Sequence, residues 1–172
     1  MVGDLSELVK SSQNKFEKLV LGIPGYKGYK QKEQRREADK LLRLQIARQY
    51  EQQLLRVNAL TRKITYRGKL ADIAQVDRAA MKLQLLIDRI KHASMGYSGL
   101  FDAIKVDEDA LDKLYDFDLA MMDGAAKIST LIDQLGQGIA DEMPVAEPAD
   151  TLIAELEALN STFGMRQDVL LQ

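Results

Sequence analysis

The chain predicts an all-α fold, an elongated antiparallel helical bundle, and three observations carry that expectation. Glycine and proline gather in a few short clusters and rarely interrupt the long stretches between them. Within those stretches the apolar residues recur in alternating steps of three and four, the spacing that lines one face of a helix. The composition agrees: hydrophobic content is 46%, but only 6% is aromatic and Trp is absent. The core must therefore come from Leu, Ile, Ala, Val and Met, which suit helix packing better than a β-sandwich. At 172 residues one domain spanning 1–172 is expected, long enough to bury roughly 70% of the surface the unfolded chain exposes.

Five helices follow in order: three long ones with a shorter helix at each end. The first is expected over 4–21, where Asp4 and Glu7 have the spacing of a capping box. Its apolar residues Leu5, Val9, Phe16 and Leu19 fall roughly on one face, with Lys10, Lys15 and Lys18 alongside. That pattern fits an ordinary core helix, and also a helix lying at a membrane interface. Gly22, Pro24, Gly25 and Gly28 end it, since proline cannot continue a helix and glycine favours the bend. Residues 1–29 thus form an amphipathic helix with a Gly/Tyr/Lys turn.

The core bundle is expected over 30–137. Residues 30–66 contain neither Gly nor Pro, and Ala47, Tyr50, Leu54, Val57, Thr61 and Ile64 make a coiled-coil-like seam. Gly68 separates this from a helix over 70–93, where Ile73, Val76, Ala80, Leu83, Ile87 and Ile90 keep strict three–four spacing. So short a connection makes the two an antiparallel hairpin. A loop over 94–106 leads to a helix over 107–136, with Val106 and Leu111 placed as a hydrophobic staple.

In this helix Leu111, Leu114, Met121, Ala125, Ile128, Ile132 and Leu135 continue the seam, and Asp118 interrupts it. A buried carboxylate costs several kcal/mol unless paired. The expectation is therefore a local rotation that brings Tyr115 and Met122 inward and leaves Asp118 at the rim. Gly124 would permit a close crossing or a slight bend. An acidic Gly/Pro-containing linker is expected over 138–149. A shorter C-terminal helix follows over 150–163, carrying Leu152, Leu156, Leu159 and Phe163, and then a frayed tail to the end of 150–172.

Charge is divided along the chain. Residues 1–100 carry 20 Lys and Arg against 10 Asp and Glu, whereas residues 101–172 carry 4 against 16. The net charge of −2 conceals this. Either the halves neutralise each other or they present surfaces to partners.

Catalytic and cofactor chemistry finds no residues to carry it. There is no Cys, which excludes disulfides, thiolate nucleophiles and Cys-ligated metal. His92 is the only histidine, and Arg89, not Glu, stands three residues before it, so a di-metal carboxylate bundle lacks its Glu-x-x-His pairs. Asp107, Glu108, Asp109, Asp116 and Asp118 do not form a twelve-residue calcium loop. Gly22, Gly25 and Gly28 precede no Gly-Lys-Ser/Thr. No enzyme, cofactor or small-molecule substrate is expected. The opening residues carry Asp4 and Glu7 where a secretory signal would be basic, and no apolar run reaches the ~18 residues that span a bilayer, so a cytoplasmic protein is expected.

The candidate binding patch is Tyr26, Lys27, Tyr29, Lys30, Lys32, Arg35, Arg36 and Lys40, continued by Arg43 and Arg48. Basic residues attract phosphate and carboxylate, while interleaved tyrosines stack on bases or sit at lipid headgroups. Glu33, Glu37 and Asp39 lie at helix-neighbour spacing, so the same run also reads as a solvated helix face. The expected function is a non-enzymatic interaction, adaptor or assembly protein with a protein partner or self-association. The alternative is a peripheral binder of anionic membrane or nucleic acid through the basic N-terminal region.

Overall fold

Four helices make up the computed structural model, which describes residues 32–96 and 108–171, with side chains over 40–93 and 116–165. They are α1 (Lys32–Tyr66), α2 (Leu70–Gly96), α3 (Glu108–Ala140) and α4 (Ala146–Leu171). The fold is an all-α helical bundle, and no strand occurs among the described residues. The helix expected over 4–21, its turn, and Tyr26 to Lys30 lie outside the described residues.

Each hairpin turn is built by a residue in the left-handed region. Gly68 has φ 71° and closes the α1–α2 turn, where its N–H donates to the Thr65 carbonyl at 3.1 Å. At the end of α3 the Met143 N–H reaches the Gly138 carbonyl at 2.9 Å and the Glu142 N–H reaches Ile139 at 3.4 Å. Those two bonds form a Schellman motif, which wants glycine at its left-handed position. Glu142 occupies that position with φ 59°. Left-handed backbone costs an L-residue about 1–2 kcal/mol, part of which glycine gives back through its freer unfolded state. Glu142→Gly is therefore expected to stabilise the fold by about 0.5–1 kcal/mol, read from the urea midpoint at unchanged slope.

This turn is tighter than the composition predicts. The break expected over 138–149 shrinks to residues 141–145. Gly136 stays helical, carried between the buried Leu135 and Ile139 of α3. Pro148 lies in the first turn of α4, where its missing N–H leaves no helical bond unmade. The C-terminal helix consequently starts before Asp150, and it also continues past Phe163 to Leu171. At 26 residues α4 nearly equals the 27 of α2 and is not a short appendage.

The two hairpins stack face to face. α1 packs on α2 and α3, and α4 packs on α2 and α3. Across α1 and α3, Tyr50 meets Met121, Arg56 meets Ser129 and Asp133, and Arg67 meets Ile139. Residue numbers rise together, so these helices run parallel. The same holds for α2 and α4, where Asn160 meets Lys82 and Gly164 lies beside Arg89. Both turns thus sit at one end of the bundle, and the outward faces of the hairpins point in opposite directions.

The inward faces are the seams the spacing foretold. Ala47, Tyr50, Val57 and Ile64 from α1 and Val76, Leu83, Ile87 and Ile90 from α2 are buried. Met121, Ala125, Ile128, Ile132 and Leu135 from α3 meet Leu152, Leu156, Leu159 and Phe163 from α4. Ala79 and Leu86 widen the α2 stripe beyond a strict coiled-coil line, as a globular bundle requires.

Asp118 does not leave this core. It is 1% exposed, Met121 beside it is 1% exposed, and Met122 is only half-buried, so α3 makes no local rotation. The aliphatic residues from Met121 to Ile139 fix the helix's rotation, and Asp118, one turn earlier, is carried inward with them. Arg43 is buried as well, at 5% exposed, and does not belong to a solvated basic face. It stands three residues before Ile46 and seven before Tyr50, on the inward side of α1.

Candidate interaction surfaces

The division of charge along the chain becomes a division between the hairpins. Residues 32–96 carry 15 Lys and Arg against 7 Asp and Glu, and residues 108–171 carry 3 against 14. Where the hairpins touch, opposite charges meet: Arg56 with Asp133 across α1 and α3, and Lys82 with Glu157 at 2.9 Å across α2 and α4. Within the hairpins, Lys91 pairs with Glu51 and Lys127 with Glu155. These pairs are solvated, so they add little to stability and their main effect is to orient the hairpins. Lys82, through its hydrogen bond and then its charge, holds the Glu157 carboxyl below the usual carboxylate range.

One polar network lies deeper. Arg89 of α2 donates through Nη1 to the Asn160 carbonyl at 2.6 Å and sits 5.8 Å over the Phe163 ring. Asn160 is 8% exposed, and its Nδ2 donates to the Lys82 carbonyl at 3.2 Å and to Leu156 at 2.9 Å. A buried amide satisfied by both helices pins the register of α2 against α4.

The basic patch is described only in part. Tyr26, Lys27, Tyr29 and Lys30 lie outside the described residues. Lys32, Arg35 and Arg36 stand on the first turns of α1. Lys40 and Arg48 are exposed further along that helix, while Arg43 turns into the core. His92 is exposed, with its Nδ1 2.7 Å from the Asp88 carbonyl one turn back in α2.

A second surface was not anticipated. Large apolar side chains left in solvent concentrate on the α1–α2 hairpin: Leu41, Leu55, Tyr66, Leu70, Met81 and Leu85. Tyr66 and Leu70 flank the turn. Leu41, Arg48, Leu55 and Arg62 are spaced by seven and so form one stripe along the outside of α1. The Glu51–Lys91 pair and the Thr61–Asp77 hydrogen bond set the hairpin register, which brings Leu55 level with Leu85. Met81, one turn from Leu85, completes a ridge that faces away from the core. At 69% exposed, Leu55 is the most solvated of these four. The sequence held part of the signal: Leu41 and Leu55 stand fourteen apart off the α1 seam, and Met81 and Leu85 four apart off that of α2.

The outward face of the other hairpin differs in chemistry. Asp116 and Asp123 lie seven apart on α3, and Glu147 and Asp150 lie near the start of α4, all exposed, whereas Glu157 turns to Lys82 of α2. On the outside of α4 Ala154 and Ala158 are exposed small residues, and Met165 is exposed one heptad beyond Ala158. Among the described residues, no group of three or more His, Asp or Glu could hold a metal ion. No described helix is long and apolar enough to cross a membrane. No protein-family model, no curated protein and no solved structure matches the chain.

Proposed function

We propose that this chain is a non-enzymatic interaction or assembly module that docks a protein partner on the outward face of α1 and α2. The observation that carries the reading is the ridge of Leu41, Leu55, Met81 and Leu85, exposed on a bundle whose seams are otherwise buried. Leu55, Met81 and Leu85 cluster across the two helices, and exposed apolar surface rimmed by charge is characteristic of an interface; Arg48, Arg62 and Arg78 supply the rim. Leucines this exposed add little to the packing of their own bundle, which leaves their apolar surface open to a partner.

The test is cross-linking of the full chain in its native extract, comparing it with the double variant Leu55→Asp, Leu85→Asp. Both positions are exposed, so the variant is expected to keep its melting temperature. Cross-links from Lys40, Lys69 and Lys91 to a partner are expected for the native chain and are expected to disappear in the variant. Cross-links of equal yield from both proteins would sink the reading.

A second reading is a peripheral binder of anionic membrane or nucleic acid through Tyr26 to Lys40. It draws support from the exposure of Lys40 and Arg48 on the helix that this segment enters. Phosphate-driven binding weakens steeply with added salt. Replacing Lys27, Lys30, Arg35 and Arg36 together is expected to abolish sedimentation with anionic vesicles or nucleic acid at low salt. Unchanged sedimentation would dismiss it.

A further inference from the structure

We propose that the occupant of the α1–α2 ridge is a second copy of this chain, which docks head to tail through its α3–α4 face. This rests on the interaction reading above and names its partner. The two outward faces complement each other in both size and charge. One presents Leu55, Met81 and Leu85 with Arg48 and Arg62; the other presents Ala154 and Ala158 with Asp123, Glu147 and Asp150. Large side chains on one helix pair fill the shallow grooves left by small ones on another.

Neither face fully neutralises its own charge. On the basic face exposed Asp77 and Asp88 offset part of it, but the hairpin still carries 15 Lys and Arg against 7 Asp and Glu over residues 32–96. On the acidic face the exposed base, Lys127, is held by Glu155. Opposite signs facing across an interface favour the right encounter and penalise wrong ones. Stacked copies also accumulate little charge, because each adds only −2. A separate acidic partner would leave the α3–α4 face still uncompensated; a second copy satisfies both.

The geometry sets the assembly type. The two faces lie on opposite sides of the bundle, so contact between them is heterologous and leaves one of each still open. Such contacts propagate into a filament or close into a ring.

The experiment is sedimentation velocity on the full chain over a concentration series, at about 0.05 M and about 0.5 M salt, where the screening length falls from over ten to a few ångströms. Mass rising with concentration at low salt, and at least tenfold weaker association at high salt, is expected. Arg48→Glu with Arg62→Glu, and separately Asp123→Lys with Asp150→Lys, should each be monomeric. Mixed in equal amounts they should co-assemble, because each reversed face then meets its complement. Adding Leu55→Asp to the first variant should prevent that rescue, which charge attraction alone would not explain.

Helical circular dichroism and melting of each variant separate loss of association from loss of fold. A native chain that stays monomeric throughout, or a mixture that fails to assemble, overturns self-docking. If partner cross-links nevertheless depend on Leu55 and Leu85, the broader interaction reading stands and the partner is another molecule. Binding of the ridge to anionic vesicles by an otherwise monomeric chain would likewise overturn self-docking.

Discussion

Tyr50→Ala is expected to destabilise the bundle by about 3–5 kcal/mol, the range for truncating a large buried aromatic. Tyr50 is fully buried and reaches from α1 across the core, where its hydroxyl donates to the Met121 carbonyl of α3 at 2.6 Å. Tyr50→Phe keeps the ring and loses only that bond, so about 1 kcal/mol is expected. Urea titration with an unchanged slope checks both values. A cost for Tyr50→Phe equal to that of Tyr50→Ala would refute the view that packing dominates at this position.

The same residue sets an alkaline limit. Burial first, and the Glu155 charge second, raise its pKa above the ordinary value of 10.0. The folded bundle keeps the phenol neutral at a pH where the unfolded chain ionises it. This contribution is therefore present in full below pH 10.0 and is lost as pH rises beyond it toward the folded value. Native protein should lose stability steeply above that point, and Tyr50→Phe should fall less steeply. Parallel curves for the two proteins would show that Tyr50 is not the group responsible.

The second large effect is expected at Gly124. A Cβ there would run into Leu159 Cδ2 and stand 2.9 Å from Tyr50 Oη. Helix propensity alone favours alanine by about 0.8–1.0 kcal/mol. Overpacking a filled core costs about 1–3 kcal/mol and is expected to win, because Leu159 is held by the core and Tyr50 by its hydrogen bond. Gly124→Ala should therefore destabilise by about 1–2 kcal/mol, and Gly124→Val by more. Gly136 is the contrast: its added methyl would make ordinary contact with Leu60, so Gly136→Ala should stabilise by up to about 1 kcal/mol. Tyr50→Phe combined with Gly124→Ala should cost less than the sum of the two, since the hydroxyl that the methyl crowds is gone. Strict additivity would show that Leu159 alone makes the clash.

Gly124 and Tyr50 show how far the sequence could be read. A glycine inside a three–four repeat announced a close crossing, and Tyr50 stood on the seam. Nothing local named Leu159 or Met121 as their neighbours. Asp118 makes the same point in the other direction. The repeat placed it inside, and the desolvation penalty of a lone carboxylate argued for the rim. The repeat prevailed because a helix rotates as one body: the aliphatic residues from Met121 to Ile139 set its inward side, and Asp118, which keeps an interaction of its own there, is carried in with them. Arg43 was missed for a related reason: in a run of Lys and Arg, charge hides a position that the spacing to Ile46 and Tyr50 reveals.

The candidate surface divides similarly. Lys40 and Arg48 were legible as exposed basic residues. The ridge of Leu41, Leu55, Met81 and Leu85 was not, because its members belong to two helices and become neighbours only when the hairpin register brings Leu55 level with Leu85.

By itself the sequence determined the three long helices, their inward stripes and the reversal at Gly68. Helical hydrogen bonds and the three–four period are local, and both are complete within a few turns. Only the tertiary structure decided that α1 runs parallel to α3, that the basic and acidic hairpins lie against each other, and that α4 is a full member of the bundle. A stripe states which face of a helix leaves water but not which other stripe it meets. That choice falls to side-chain fit between residues about seventy positions apart, as at Tyr50 and Met121 or Arg89 and Asn160.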